Sequence, residues 1–252
     1  METLAGAARE EHAGERRFIK SKRDRCGFTL IDLLLVIAVL LILGVILIPK
    51  ISVRTSRSPP RTCTNNLKQV GLAFRIWADD HQHTFPQALS VTNGGAMEAV
   101  MGGNVAAVFQ VMSNVINSPK ILFCPTDKKR IQALTFDQAS PSTGWHKSVS
   151  FLGNSNLTYF VSLDAKDTSP EMFLSGDDNF LVGGNSGGYG GTQVTPGILS
   201  LTKNAPLAWS DIRHERQGNI GLADGSVQGF SSSALRNALA NTGVETNRLA
   251  MP

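Results

Sequence analysis

The chain has 252 residues, of which 42% are hydrophobic and 17% charged, and this composition excludes an intrinsically disordered protein. Its 24 Lys and Arg against 20 Asp and Glu give a net charge of +4, but seven of the basic and five of the acidic residues lie in the first 27. The rest of the chain is close to neutral and shows no basic stripe with interleaved aromatic residues, so nucleic acid is not an expected partner.

An almost unbroken apolar run extends from Phe28 to Ile48, interrupted only by Thr29 and Asp32. A helix of these 21 residues would be roughly 31 Å long, which matches the hydrocarbon core of a bilayer. Because the run is apolar on all sides, it predicts a membrane-spanning helix, whereas a buried core helix would show one apolar stripe. The basic segment at residues 16–25 predicts a cytoplasmic amino terminus and an exported carboxy-terminal part.

The segment RCGFTLIDLLLVIAVLLILGVILIP resembles the amino-terminal signature of type IV pilins and of the pseudopilins of type II secretion. The resemblance implies that a prepilin peptidase cleaves between Gly27 and Phe28 and that the new amine of Phe28 is methylated. It also implies that the apolar helix forms the core of a filament. The fifth residue of the mature chain is usually Glu in this family, and here it is Asp32. We expect this carboxylate to pair with the Phe28 amine of a neighbouring subunit; the alternative is that it reaches the headgroup region by itself.

Two helices are predicted after the apolar run. The pair Pro59 and Pro60 predicts a break, and the following residues up to Asp80 show apolar side chains at spacings of three and four. This spacing is typical of an amphipathic helix that packs on a sheet, and its apolar residues are Leu67, Val70, Gly71, Phe74, Trp77 and Ala78. A second helix is predicted from Ala96 to Asn117, although two consecutive glycines weaken it near its start.

The remaining segments predict short strands and turns. The run ILFCP predicts one strand, SVSFL and LTYFVSL predict a hairpin around residues 153–156, and EMFLSG and FLVGG add further strands. The Gly-rich segment GGNSGGYGGTQ lacks the Gly-Lys-Ser/Thr of a phosphate-binding loop, so we expect a surface loop there.

His214 is followed, after nine residues, by Asp224 and Gly225, and this spacing resembles a carboxy-terminal motif of pilin-like proteins from planctomycetes and verrucomicrobia. An Asp-Gly pair between two strand-like runs predicts a two-residue hairpin. His214 and Asp224 have two interpretations. One is a catalytic or metal-binding pair near Ser226, and the other is a structural hydrogen bond that clamps the chain before the hairpin. The lack of a G-x-S-x-G nucleophile motif favours the structural interpretation.

Two further sites are predicted from cysteines and acidic residues. Cys26 would be removed with the leader, which leaves Cys63 and Cys124 to form a disulfide in an oxidising compartment. Because no C-x-x-C pair occurs, a structural zinc site is not expected. The adjacent residues Asp177, Asp178 and Asn179 offer oxygen ligands that suit calcium, the alternative being an acidic turn exposed to solvent.

Together, these features and the resemblance predict an α+β, pilin-like protein: an amino-terminal transmembrane helix followed by a globular domain of helices on an antiparallel sheet. The expected parts are a cleaved leader at 1–27, a transmembrane and filament-core helix at 28–57 and a periplasmic or extracellular domain at 58–252. The expected location of the protein is the bacterial inner membrane, with the amino terminus in the cytoplasm.

The expected function is that of a non-enzymatic filament subunit of a type II secretion or pilus-like system. Its expected partners are the prepilin peptidase and methyltransferase, other pilin or pseudopilin subunits and an inner-membrane assembly platform. One alternative is a membrane-anchored periplasmic enzyme or sugar-binding protein. Another is a minor pilin for adhesion or DNA uptake.

Overall fold

A computed structural model describes residues 29–47, 61–137, 149–184 and 190–252. The chain divides after Thr55 into an amino-terminal unit and a larger carboxy-terminal unit. The predicted cleavage site between Gly27 and Phe28, and the predicted break at Pro59, lie outside the described residues.

The described part of the amino-terminal unit is one helix, α1, which spans Leu30–Leu47. It begins with a reciprocal cap. The backbone N–H and the hydroxyl of Thr29 donate to Oδ2 of Asp32 at 3.0 and 2.8 Å, and the N–H of Asp32 donates back to the Thr29 hydroxyl oxygen at 3.3 Å. This exchange satisfies amide groups that a helix start leaves without partners. Every residue from Leu30 to Leu43 is exposed.

The predicted transmembrane helix, and with it the pilin-like form of the fold, is wrong. Among the helices that the structure describes, none combines the length and the apolar character needed to cross a bilayer. The sequence predicted a span from Phe28 to Ile48, and within the described residues α1 extends from Leu30 to Leu47, with its first residue set by the cap at Thr29.

The carboxy-terminal unit confirms the predicted α+β class with an antiparallel sheet. Its main sheet has six strands in the order β5-β9-β1-β2-β7-β8, and all neighbours are antiparallel. These strands are β1 Tyr159–Ser162, β2 Phe173–Asp177, β5 Gly197–Thr202, β7 Gln217–Leu222, β8 Val227–Ser231 and β9 Thr246–Met251. A smaller sheet has the order β4-β3-β6, with β3 Phe180–Val182, β4 Thr192–Gln193 and β6 Leu207–Trp209.

Helix α2 spans Arg61–Asp79 and confirms the predicted amphipathic helix. All six apolar residues that the spacing assigned to its inner face are buried, and the helix packs on β2, β7 and β8. At Gly71 the helix comes so close to the β7–β8 turn that a Cβ atom would lie 3.3 Å from the carbonyl oxygen of Gly225. The small residue therefore sets α2 directly against the turn of the Asp-Gly motif.

The single helix predicted from Ala96 to Asn117 is divided into three: α3 Met97–Met101, α4 Ala106–Val111 and α5 Ser113–Ile116. The first division occurs at Gly103, whose φ of +90° suits glycine and ends α3. The side chain of Asn154 then accepts from the N–H of Ala106 at 3.0 Å, which stabilises a new helix start. The last helix, α6, spans Ser232–Ala240 and is capped by the Ser231 hydroxyl.

Two predicted strand features are wrong, while three are confirmed. The segment ILFCP contains part of a 3-10 helix at Pro119–Leu122, because a proline at its first turn favours helical backbone. Residues 153–156 form a 3-10 turn instead of a hairpin, since Asn156 bonds the backbone of Leu152 and Ile131 with its side chain. The runs LTYFVSL, EMFLSG and FLVGG contain β1, β2 and β3, as predicted.

The six-stranded sheet is covered on both faces. Neighbouring residues of β1 contribute to different cores: Val161 packs with α2, α3, α4 and α5, and Phe160 packs with α6 and the smaller sheet. Each face therefore supplies its own apolar cluster, as the period-two geometry of a strand requires. The candidate site lies where α2, β2 and the start of β7 come together.

Candidate functional site

The backbone at His214 is in a conformation that side chains other than glycine rarely adopt. His214, Glu215 and Arg216 have φ values of +57°, +51° and +65°, and the N–H of Gln217 donates to the His214 carbonyl oxygen at 3.1 Å. Each such residue costs roughly 1–2 kcal/mol. This left-handed turn directs the His214 side chain inward, where it is completely buried. Strain of this kind persists where surrounding contacts fix it, and it is common at functional sites.

The His214 ring lies among sulfur and carboxylate atoms. Its Nε2 is 3.2 Å from Sγ of Cys124 and 3.5 Å from Oδ2 of Asp177. A disulfide joins Cys124 to Cys63 in the first turn of α2, with their Cα atoms 5.1 Å apart. Asp177 is the last residue of β2. We call these four buried residues the His214 cluster.

Hydrogen bonds hold the Asp177 carboxylate in place. Its Oδ2 accepts from the backbone N–H of Asn219 at 2.8 Å and from Nδ2 of the same residue at 2.9 Å. The Asn219 Oδ1 in turn accepts from the Thr64 hydroxyl at 3.0 Å, so this chain of bonds links β2, β7 and α2. Burial and the nearby charge of Asp177 raise the pKa of Tyr159, which keeps this phenol neutral beside the cluster.

A network of two arginines and two aspartates, buried except for the half-buried Arg130, adjoins the cluster through Arg213. Oδ2 of Asp178 is 2.5 Å from Nη1 of Arg130, and its Oδ1 pairs with Nη2 of Arg213. Oδ2 of Asp127 lies 3.8 Å from Nη1 of Arg130 and 3.7 Å from Nη1 of Arg213. Burial lowers the pKa of both guanidinium groups, and the carboxylates oppose that shift. The network balances its own charges, which is the condition for keeping them inside a protein.

The predicted hairpin at the Asp-Gly motif is present, with a longer turn than expected. β7 and β8 are antiparallel neighbours, and the N–H of Leu222 donates to the carbonyl oxygen of Ser226 at 2.8 Å. The connection therefore has three residues, 223–225, instead of two. Gly225 has a φ of +86°, which fits the left-handed position at the end of a three-residue connection.

His214 and Asp224, which the sequence motif links, have separate partners. Oδ1 of Asp224 accepts from the N–H of Ser226 at 2.8 Å and so stabilises the exposed turn. The His214 ring instead lies in the buried cluster. The structure therefore does not bring the two side chains into the predicted clamp, and each end of the motif shapes its own local structure.

The predicted calcium ligands do not converge. Asp177 faces His214 and Asn219, both oxygens of Asp178 pair with arginines, and Nδ2 of Asn179 donates to the carbonyl oxygen of Arg213 at 3.3 Å. Asp178 and Asn179 follow the end of β2, and each of the three side chains is held by its own partners.

A different set of possible metal ligands comes together. Across the described ranges, the group that brings three such side chains together is Cys63, Cys124 and His214, whose ligand atoms lie within 4.8 Å of one another. Sequence reasoning missed this group because 61 residues separate the two cysteines and the third ligand comes from a different element. The motif at His214 was the one available signal.

On α1, Asp32 is fully exposed, and hydrogen bonds from the backbone N–H and hydroxyl of Thr29 lower its pKa. It is the one acidic or basic side chain of that helix. Its charge is therefore available at the start of an otherwise apolar surface.

No protein-family model, no curated protein and no solved structure matches this chain. Two features then bear on function: the exposed apolar surface of α1 and the His214 cluster. Because the side chains of the cluster are enclosed, it is better suited to holding structure or an ion than to turning over a substrate.

Proposed function

We propose that this chain is a structural subunit of a filament of the type II secretion pseudopilus or type IV pilus kind, and that α1 helices of neighbouring copies hold the filament together. The observation that carries the proposal is the exposed apolar surface of α1, where Leu30 is 77% and Leu41 is 66% exposed. Soluble monomers rarely expose contiguous apolar patches above a few hundred Å². A helix that is apolar all round is stable when it is surrounded, and other copies of the same helix supply such surroundings.

The distribution of the apolar residues favours a filament over a closed dimer. A helix with one apolar stripe is covered by one partner, whereas α1 presents Leu, Ile or Val on every side from Leu30 to Leu43. Several copies are needed to cover such a surface. Contacts that repeat from copy to copy without closing produce an open helical array.

Asp32 gives this assembly a polar contact. Its two bonds from Thr29 both use Oδ2, so Oδ1 can accept from another copy. In the proposed filament, a prepilin peptidase cleaves between Gly27 and Phe28, the new amine is methylated, and this amine pairs with Asp32 of a neighbour. An opposite charge beside a carboxylate is the usual compensation for removing it from water. An assembly platform that receives the processed subunit completes the set of proposed partners.

The proposal is tested by producing the full chain together with an active prepilin peptidase and shearing filaments from the cell surface. Immunogold electron microscopy with antibody to residues 61–137 should label the filaments. Mass spectrometry of the same material should find an N-methylated Phe28 terminus. Chains that keep Met1 in the presence of active peptidase, with no labelled filaments, would contradict the proposal.

A further inference from the structure

The His214 cluster contains two sulfur donors and one imidazole nitrogen that lie within 4.8 Å of one another, and one carboxylate oxygen that lies 3.5 Å from that nitrogen. This donor set is that of a zinc-class metal site with its sulfur atoms oxidised. We propose that the reduced protein binds one zinc-class divalent ion through Sγ of Cys63 and Cys124, Nε2 of His214 and Oδ2 of Asp177. The disulfide and the metal complex are then two alternative states of one site.

Two of the distances between donors fit tetrahedral coordination. With Zn–S bonds of about 2.3 Å and Zn–N and Zn–O bonds of about 2.0–2.1 Å, a tetrahedron places S and N about 3.5 Å apart and N and O about 3.3 Å apart. The Cys124 Sγ to His214 Nε2 distance is 3.2 Å, and the His214 Nε2 to Asp177 Oδ2 distance is 3.5 Å. Two of the required edges are therefore already present. The remaining adjustments are the separation of the two sulfur atoms to about 3.8 Å after reduction and the approach of the Asp177 carboxylate, which lies outside the group of three ligands whose atoms are within 4.8 Å of one another.

The neighbours of the four donors already orient them. Asn219 donates twice to Asp177 Oδ2, and Thr64 donates to Asn219. The left-handed turn fixes the direction of the His214 ring. Outer partners of this kind aim the ligands of metal sites and contribute to their affinity. Two thiolates and an imidazole select a zinc-class ion over calcium, which prefers oxygen ligands throughout.

The disulfide form converts to the dithiol form by thiol–disulfide exchange, and the electrons and protons of this reaction balance. A dithiol reductant breaks the S–S bond, gives up two electrons and two protons and becomes a disulfide itself, while Cys63 and Cys124 become thiols. Metal binding releases both thiol protons to solvent and forms two metal–sulfur bonds. Because both cysteines are fully buried, the compartment in which the chain folds decides the state. Folding under reducing conditions with zinc gives the complex, and folding under oxidising conditions gives the disulfide.

The test refolds the full chain in detergent after reduction with a dithiol, which is then removed under anaerobic conditions, and uses Co²⁺ alone as the probe. We expect one Co²⁺ per chain with strong thiolate-to-cobalt charge-transfer absorption, and displacement of this ion by Zn²⁺. The disulfide form, and the reduced chain in denaturant, should show no such absorption.

Variants assign the ligands. Asn219→Ala, which removes an outer partner, should weaken Co²⁺ binding about 10–100-fold, and His214→Ala, which removes a ligand, should weaken it more. The matched control is His83→Ala, because the His83 side chain is 68% exposed and lies outside the cluster; it should bind as the wild type does. Absence of the charge-transfer band from reduced wild-type protein would overturn the proposal without any variant. Equal binding by His214→Ala, or by the denatured chain, would overturn it too.

Discussion

Helices α1 and α2 have nearly the same length, 18 and 19 residues, yet their apolar side chains differ in how far they are exposed to solvent. α2 has one apolar face, and that face is buried on the sheet of its own domain, while Leu72 on its outer face is 58% exposed. α1 is apolar on every side, and its side chains from Leu30 to Leu43 are exposed. An apolar pattern therefore shows that a surface needs cover, and only the distribution of the pattern around the helix indicates whether one partner or several supply it.

The largest expected effect on stability comes from the inner face of α2. Phe74 is fully buried and contacts Phe85 and Phe109 edge to face. Phe74→Ala should lower the free energy of unfolding by about 3–5 kcal/mol because it leaves a cavity. The control in the same helix is Leu72→Ala, which should change it by less than about 0.5 kcal/mol. Denaturant unfolding of the full chain in detergent measures both, and similar losses would show that α2 does not pack as described.

The disulfide should make the next largest contribution to stability, because it links the first turn of α2 to the segment before β1. Replacing Cys63 and Cys124 together by Ala removes a covalent link between residues that are 61 positions apart. In the loop-entropy model such a link stabilises the folded protein by about 4 kcal/mol, and strain in the bridge reduces this value. Unfolding of the oxidised protein and of the double variant gives the difference. Thiol labelling under denaturing, non-reducing conditions is the independent check. Full labelling of both cysteines in freshly isolated oxidised protein would contradict the bridge.

A smaller, pH-dependent effect on stability is expected at Glu98. Like Asp32 in α1, Glu98 accepts hydrogen bonds from a hydroxyl and a backbone N–H, and it lies in the larger unit. Bonds from the Ser90 hydroxyl at 2.6 Å and the Val91 N–H at 2.7 Å lower the pKa of Glu98 below 4.5. A lowered folded pKa means that the stabilisation is present above about pH 4.5 and disappears as pH falls through the folded value. Glu98→Gln should therefore lower the melting temperature slightly at pH 7, and this decrease should become smaller at pH 3. An equal decrease at both values would rule out this cause.

Asp32 should affect assembly and leave the larger unit intact. Asp32→Ala removes both the cap and the charge offered to a neighbouring subunit, so the filament yield should fall while the melting temperature of the carboxy-terminal unit stays the same. Thr29→Val separates the two roles, because it removes the hydroxyl that bonds Asp32 and keeps the charge. Sheared-filament yield compares the variants. If Thr29→Val lowered the yield as much as Asp32→Ala, the carboxylate would act only as a cap.

The parts of the fold that depend on local patterns could be predicted from the sequence. The stripe of α2 predicted its buried face, and the Asp-Gly pair predicted the β7–β8 hairpin. Local patterns failed where hydrogen bonds from side chains decide the backbone. The Asn156 side chain replaces a predicted hairpin by a 3-10 turn, and the cap at Thr29 sets the first residue of α1 at Leu30, two residues after the start that hydropathy suggests. The His214 cluster was beyond local reasoning because its four residues come from four separate segments.

The most direct test of the central claim compares two exposed leucines in the two helices. Leu40 of α1 is 61% exposed and Leu72 of α2 is 58% exposed, so each change to Lys puts a charge at a position of similar accessibility in the single chain. Filament yield after shearing is measured by immunogold electron microscopy for Leu40→Lys and Leu72→Lys, with melting temperature as the control for folding. If copies of α1 bury one another, Leu40→Lys abolishes filaments at an unchanged melting temperature, while Leu72→Lys assembles normally. Normal filaments from Leu40→Lys would contradict the account.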